Sequence, residues 1–235
     1  KNMALTVKHN RLDNRRSLLS GLDNINRQVD STGLMEGLDA FEQQAFSLVL
    51  SRSQRAFELK NEDPRVSALY GGGLGQQMLR ARRLVEAGAG FVTVSYGGWD
   101  MHGKIEESMR KTSAQLDHAV HALIEDLNQR SMDRNVLVVI SGEFGRTPKI
   151  NKNGGRDHWA PLSTLALSGG GLRMGQVIGE SASKVDVPKT TPIRPSDLMA
   201  TVFQVLGVDP KIQFFNEAGR PVYMLEEGRP IRELV

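Results

Sequence analysis

The 235-residue chain contains no cysteine. This absence excludes disulfides, thiolate nucleophiles and thiolate-bound metals, so histidines and carboxylates are the candidate metal ligands. No apolar run approaches the roughly 18 residues that a membrane-spanning helix requires, and no signal-peptide pattern is visible. Because the sequence begins with lysine and not methionine, we expect a processed or truncated chain.

Charge of one sign is not concentrated anywhere either. The 30 Lys and Arg residues stand against 27 Asp and Glu residues, which gives a net charge of +3. The basic residues form only short pairs such as Arg15-Arg16 and Arg82-Arg83, whereas a nucleic-acid surface needs a clustered basic patch. With 39% hydrophobic and 24% charged residues, the composition indicates a globular protein without a nucleic-acid partner.

The first part of the chain has the pattern of helices. Helical apolar spacing or helix-cap signals mark four segments, which are residues 7–29, 39–59, 64–70 and 74–88. We therefore predict a helical segment, residues 1–88, that packs on a core formed by residues 89–235.

The second part contains short apolar runs rich in β-branched residues, the pattern of buried strands. Three such runs are Phe91–Tyr96, Asn135–Ser141 and Ser163–Gly169, and a helical pattern over 105–130 separates the first two. A strand, a long helix and a second strand form a βαβ unit with parallel strands. The predicted fold class is therefore α/β, with a mostly parallel sheet flanked by helices.

Three further elements complete the prediction. The run Gly171–Gly179 is typical of a hairpin arm, and Pro221–Leu225 of a short strand. A helix is predicted to begin at Pro195 and to end at Gly207, because proline favours the first turn and glycine the position after the last.

Polar side chains cluster beside the predicted strands. They are Asp100 and His102 after the first strand, Glu143, Arg146 and Thr147 after the second, and Arg156, Asp157 and His158 before the third. In open parallel sheets, sites form outside the carboxyl ends of the strands. We therefore expect these clusters to converge at one edge of the sheet.

Each cluster also has a purely structural interpretation. Asp100 could cap the following helix, Glu143 could pair with Arg146, and His158 could pack on Trp159. One structural explanation does not cover all three clusters, so together they favour a site. Two other patterns are weaker: the His118 and His121 pair lies on a solvated helix face, and the glycine-rich 71–75 follows no strand, as a phosphate-binding loop would.

The residue types of the clusters favour metal-assisted hydrolysis. Carboxylates and imidazoles suit a divalent metal, Zn²⁺ first, with Mn²⁺, Fe or Mg²⁺ as alternatives. The candidate ligands are Asp100, His102, Glu143, Asp157 and His158. A bound metal activates water, and the forks of Arg146 and Arg156 can hold two oxygens of a phosphate or sulfate. Glu143, Arg146 and Arg156 are the candidate catalytic residues.

Four motifs together resemble a sulfatase-like family of bacterial proteins of unknown function in the alkaline phosphatase superfamily. They are "GGWDMH", "SGEFGRTPKIN", "GGRDHW" and "PSDLMATVFQVLGVD", in that order along the chain. The resemblance implies an α/β sandwich with a two-metal site. It also implies that Asp100, His102 and His158 hold one metal and that Glu143 contributes to the second.

The chain departs from the superfamily pattern in three places. Phe144 stands where a metal-binding histidine usually follows the acidic residue, and the Asp-His separation in "WDMH" is shorter than usual. No strand with a nucleophile precedes Phe91. Relatives of the family are about twice as long and often begin with a twin-arginine export signal. The resemblance therefore implies a partial domain, the C-terminal half of an exported or periplasmic protein, with the cytoplasm as the alternative location.

Two functions are expected from the sequence. The first is a metal-dependent hydrolase of phosphate or sulfate esters, acting on a small-molecule or glycan ester. The second is a non-catalytic binding protein on a degenerate hydrolase fold, with a sugar, a sulfated glycan or a protein as its partner.

Overall fold

The computed structural model describes residues 55–235. A 3₁₀ turn at Leu59–Asn61 is followed by four helices, which are α1 (Pro64–Tyr70), α2 (Leu74–Glu86), α3 (Ile105–Gln129) and α4 (Pro195–Leu206). The strands are β1 (Leu137–Ser141), β2 (Gly145–Arg146), β3 (His158–Trp159), β4 (Leu165–Gly169), β5 (Gln213–Phe215) and β6 (Pro221–Tyr223). The predicted helix over 7–29 and most of that over 39–59 lie outside the described residues.

The chain divides into two compact units. Among the described residues, the first comprises 55–67 and Leu79–Thr93, and the second comprises Ala68–Met78 and Val94–Val235. In the described part of the first unit, the buried Arg82 pairs with Glu62 at 2.7 Å and with Glu86 one turn along α2. Arg83 also pairs with Glu62, at 2.7 Å, and donates to the carbonyl of Ala56. One carboxylate shared by two guanidinium groups thus joins Glu62 to α2.

The long helix α3 carries the core of the second unit. Its buried positions are Ala119, Ala122, Leu123, Asp126 and Leu127, which fall on one face at helical spacing. The hydroxyl of the fully buried Tyr70 donates to Asp126 at 2.9 Å, and Arg130 donates to the other oxygen of that carboxylate at 2.7 Å. The buried carboxylate of α3 therefore has a hydrogen bond to each oxygen, as burial of a charge requires.

The predicted mostly parallel sheet is wrong. The strands of the described residues form three separate two-stranded sheets, β1–β4, β2–β3 and β5–β6, and each is antiparallel. The segment Phe91–Tyr96 is not a strand, so the expected βαβ unit is absent from the described residues. The hairpin arm predicted at 171–179 is not a strand either.

The error has a physical cause. An apolar, β-branched run favours extended backbone, but it does not specify which segment supplies the ladder partner or in which direction that partner runs. The run at β1 is half-buried and not fully buried, which is the burial of an antiparallel strand with one covered face. Gly170 also donates its N–H to the carbonyls of Asp133 and Val136. These bonds hold the end of β4 next to the start of β1, so that the two strands run antiparallel.

Residues 142–164 leave β1 and return to β4. The two ends of this connecting segment are held together where Ser141 pairs with Leu165. Just inside it, the N–H of Gly145 donates to the carbonyl of Leu162 at 2.7 Å. Within it, β2 and β3 pair as a short ribbon. A side chain at Gly145 would overlap the carbonyl of Leu162, so glycine is required for this close approach.

The helix α4 confirms the prediction for its region. It begins at Pro195, ends at Leu206, and is followed by Gly207 at φ 68°. The C-terminal tail packs on it, because the buried Thr201 hydroxyl donates to the carbonyl of Asp197 at 2.7 Å and accepts from the N–H of Ile231 at 2.9 Å. The strand β6 confirms the predicted strand in the tail.

Within residues 55–235, no helix is both long enough and apolar enough to cross a membrane.

We expect the Thr201→Val variant to lower the free energy of unfolding by about 1–3 kcal/mol, because the substitution leaves the N–H of Ile231 buried without an acceptor. Urea unfolding measures the change. Thr201→Ser is the control, since it keeps the hydroxyl. A Thr201→Val variant as stable as the wild type would contradict the role of this hydroxyl.

Candidate metal centre

The loop 100–104, which precedes α3, is bound to the loop 150–158 by backbone hydrogen bonds. Arg156 donates its N–H to the carbonyl of Met101 at 3.0 Å, and Ile105 donates to that of Gly154 at 2.9 Å. Gly103 and Gly154 form an isolated antiparallel bridge. A side chain at Gly155 would overlap the backbone of His102 and Gly103. The two loops therefore meet at van der Waals distance only because this position is glycine.

The ribbon β2–β3 brings the remaining side chains to the same place. Arg146 on β2 and His158 on β3 are direct cross-strand partners, so their side chains lie on the same face of the ribbon. Both reach Asp100: Arg146 Nη1 lies 2.6 Å and His158 Nε2 lies 2.9 Å from its Oδ1.

Three potential ligand atoms converge at this point. His102 Nε2 lies 2.9 Å from Asp100 Oδ1 and 3.3 Å from His158 Nε2. Asp100, His102 and His158, named here the metal triad, are the group of acidic and histidine residues that could hold a metal ion among the described residues. Their side chains are 64%, 45% and 50% exposed, so the centre is open to solvent.

The triangle of these atoms fits a small divalent ion. Ligand atoms about 2.0–2.1 Å from a tetrahedral Zn²⁺ are about 3.3–3.4 Å apart. The observed separations of 2.9, 2.9 and 3.3 Å are close to those values. Three protein ligands and one solvent-facing position are the arrangement of catalytic zinc sites.

Asp157 orients the ring of His102. Its Oδ1 lies 2.7 Å from His102 Nδ1, so the neutral ring that carries its proton on Nδ1 has a lone pair on Nε2, inside the metal triad. A carboxylate in this position is the usual partner of a metal-bound histidine. Asp157 is therefore placed to support a ligand and not to be one.

The charges at the centre shift three pKa values. The hydrogen bond from His158, followed by that from Arg146, lowers the pKa of Asp100 to about 2. The hydrogen bond to Asp157, aided by the charge of Asp100, raises the pKa of His102 above its usual value. Hydrogen bonds from His102 and then from Asn151 lower the pKa of Asp157. Asp100 is thus a carboxylate at neutral pH, and His102 readily holds a proton.

The structure does not bring every predicted residue to the centre. Glu143 is exposed and lies outside the metal triad. The guanidinium group of Arg156 donates to the carbonyls of Thr147 and, at 2.6 Å, Pro148. Arg156 therefore braces the loop after β2.

The alternative, purely structural roles considered for the three clusters differ from the contacts in the structure. Lys104, and not Asp100, is the N-cap of α3. Arg146 pairs with Asp100 and not with Glu143. The ring of His158 packs on those of His102 and Phe144, with centroids 4.9 and 4.7 Å away. These contacts converge on Asp100 and the ring of His158.

One contributor is missed by the sequence pattern. Asn151 contacts both Asp157 and His102 through its side chain. The signal for it is weak: the stretch "NKNGG" indicates a turn, and a turn does not reveal what its first side chain contacts. The exposed His118 and His121 belong to no potential metal cluster of the described residues.

We expect Gly155→Ala to separate the two loops and to lower the free energy of unfolding by about 1–3 kcal/mol, since an added methyl group must displace backbone. Thermal or urea unfolding measures the loss. Gly97→Ala is the matched control, because a Cβ there meets no atom within 4 Å. Equal stabilities of the two variants would show that the loops do not depend on this contact.

The comparison with protein families gives one result for the whole chain. Residues 3–235 match the model of a family described as "Protein of unknown function (DUF1501)". No curated protein and no solved structure matches the chain. Since the match covers nearly every residue, the chain belongs to the DUF1501 family.

Proposed function

We propose that this DUF1501 chain is a metal-dependent hydrolase of phosphate or sulfate esters, with one divalent ion held by Asp100, His102 and His158. The observation that carries the proposal is the convergence of one carboxylate oxygen and two imidazole nitrogens within 3.3 Å of one another. Two nitrogens and one oxygen suit Zn²⁺ first and Mn²⁺ next, whereas Mg²⁺ prefers oxygen ligands.

A metal bound there would supply a Lewis acid and a water with a pKa near 7. The chain itself supplies the orientation and the charge. Asp157 keeps the Nε2 atom of His102 directed into the metal triad. Arg146 donates one N–H to Asp100 and retains further donors of its planar fork, which can bind an anionic ester oxygen.

The choice of ester rests on Arg146 and on the motif resemblance. A guanidinium group beside a divalent ion favours a substrate with a planar or tetrahedral array of anionic oxygens. The resemblance to the alkaline phosphatase superfamily points to the same substrates, although the antiparallel sheets of the described residues add no support to it. Export is proposed on that resemblance alone.

A second candidate function is non-catalytic binding of a sugar, a sulfated glycan or a protein. The observation that favours it is Phe144, whose ring packs on His158 and which cannot ligate a second ion. A single exposed ion beside Arg146 could bind an anionic group without cleaving it.

The first experiment measures metal content together with ester hydrolysis. After separate incubations with Zn²⁺ and with Mn²⁺ and desalting, we expect about one ion per wild-type chain and none in His102→Ala, because each ligand of a three-residue site is needed. His121→Ala is the control, since this exposed histidine lies outside the metal triad.

The outcomes separate the candidates. Bound Zn²⁺ with hydrolysis of p-nitrophenyl phosphate or sulfate, both lost in His102→Ala, supports the hydrolase. Bound Zn²⁺ without hydrolysis, combined with retention on immobilised sulfated glycan, supports the binding protein. Absence of Zn²⁺ and Mn²⁺ from the wild type would reject the metal centre.

We also expect metal affinity to rise with pH. The proton on His102 competes with the metal, and the pKa of this group is raised. The apparent affinity should therefore increase up to about tenfold per pH unit, from pH 6.5 until His102 is deprotonated. Asp100, with its pKa of about 2, should not contribute in this range. Zn²⁺ titrations between pH 6.5 and 8 measure the slope, and a pH-independent affinity would contradict the role of His102.

A further inference from the structure

Asn151 uses the full hydrogen-bonding capacity of its side chain at the candidate metal centre. Its Oδ1 accepts from the backbone N–H groups of Asn153 at 2.9 Å and of Gly155 at 3.0 Å. Its Nδ2 donates to the carbonyl of His102 at 3.1 Å and to Asp157 Oδ1 at 3.0 Å. The two backbone donors fix which end of the amide is oxygen, so the NH₂ group must face His102 and Asp157.

Asn151 contacts His102 directly at its backbone carbonyl and indirectly at its ring, through Asp157. The carbonyl that accepts from Asn151 belongs to the backbone of His102, and the Asp157 oxygen that accepts from Asn151 also faces the ring nitrogen Nδ1 of His102. The Asp157 side chain is 53% exposed and would otherwise be free to turn toward water. The second donor holds this carboxylate in the position that the imidazole requires.

We infer that Asn151 is a positioning residue for the metal ligand His102, acting through Asp157. The inference rests on the proposed metal function. It assigns to Asn151 the task of fixing the ring orientation and the Nδ1–H tautomer, so that Nε2 presents its lone pair to the ion. Outer partners of metal-bound histidines typically change metal affinity by about 10- to 100-fold when they are removed.

The informative variant is Asn151→Asp. It keeps an oxygen for the N–H groups of Asn153 and Gly155, so the turn retains its acceptor. It replaces the NH₂ group by a carboxylate oxygen that repels Asp157 and the carbonyl of His102. Asn153→Asp is the matched control, because it makes the same change of charge two residues away, at an exposed side chain.

We expect Asn151→Asp to weaken Zn²⁺ binding by about 10- to 100-fold, and Asn153→Asp to leave it within about twofold of the wild type. Competition with a chromophoric zinc chelator measures both dissociation constants, and thermal unfolding monitors the fold. Added negative charge attracts a cation, and Asn153→Asp carries the same added charge, so the difference between the two variants reports the contact made by position 151.

A double variant distinguishes positioning from general support of the loop. In Asn151→Asp/Asp157→Asn, the amide introduced at position 157 can donate to the carboxylate at position 151 and still accept from His102. We therefore expect Asn151→Asp to change the affinity by no more than about twofold in the Asp157→Asn background. The repulsion between two carboxylates is removed there, and the contact with the neutral carbonyl of His102 is the smaller effect that remains in both backgrounds. A purely structural role would give the same loss in both backgrounds.

The outcomes are distinct. A wild type that binds Zn²⁺, with Asn151→Asp no weaker than Asn153→Asp, overturns the role of Asn151 and leaves the metal centre intact. An equal loss in both backgrounds overturns action through Asp157. A wild type that binds neither Zn²⁺ nor Mn²⁺ overturns the proposed function and this inference with it.

Discussion

The side chains of the candidate site converge on one oxygen atom, Oδ1 of Asp100, and the backbone must hold them there. Nitrogens of Arg146, His102 and His158 lie within 2.9 Å of it, and they come from β2, the loop before α3 and β3. Because all of these groups are partly exposed, their ion pairs contribute little free energy by themselves. Charge attraction therefore does not assemble the site. The backbone assembles it, and the charges then determine what the assembled site can bind.

The backbone achieves this through close approaches that only glycine permits. Gly155 lets the loop 150–158 contact the backbone of His102, and Gly145 lets β2 contact the carbonyl of Leu162. The strands involved are only two residues long, and the buried side chains of the second unit lie mainly on α3 and α4. The site is therefore carried by hydrogen-bonded loops in which Met101, between Asp100 and His102, is the buried apolar side chain. An ion that binds the loops in the folded state, and not in the unfolded state, would stabilise the folded state by mass action.

The sequence predicts the three residues that converge at the candidate centre, but it predicts a wrong fold to unite them. Asp100, His102 and His158 stand out because acidic and imidazole side chains in short clusters are chemically conspicuous. Their convergence was expected at the carboxyl ends of parallel strands, whereas it results from an antiparallel ribbon and a glycine contact. An apolar run does not encode its ladder partner. The role of Asn151 was not visible either, since it consists of bonds to atoms 2 to 49 residues distant along the chain.

The environment of His158 bears on the number of metal ions in the proposed site and on the source of a second positive charge. Phe144 covers one side of its ring, and the guanidinium carbon of Arg146 lies 5.9 Å from the Phe144 ring centre. In two-metal hydrolases, the second ion shares the charge of the oxyanion with the first. Here a phenyl ring that cannot ligate packs on His158, so the proposal involves one ion, with the guanidinium group of Arg146 as the second positive charge. Arg146 differs from an ion in that it cannot activate water, but its fork can orient two ester oxygens at once. The nucleophile would then have to reach the ester from the solvent-facing side of the metal triad, which is the side that the half-exposed histidines leave open.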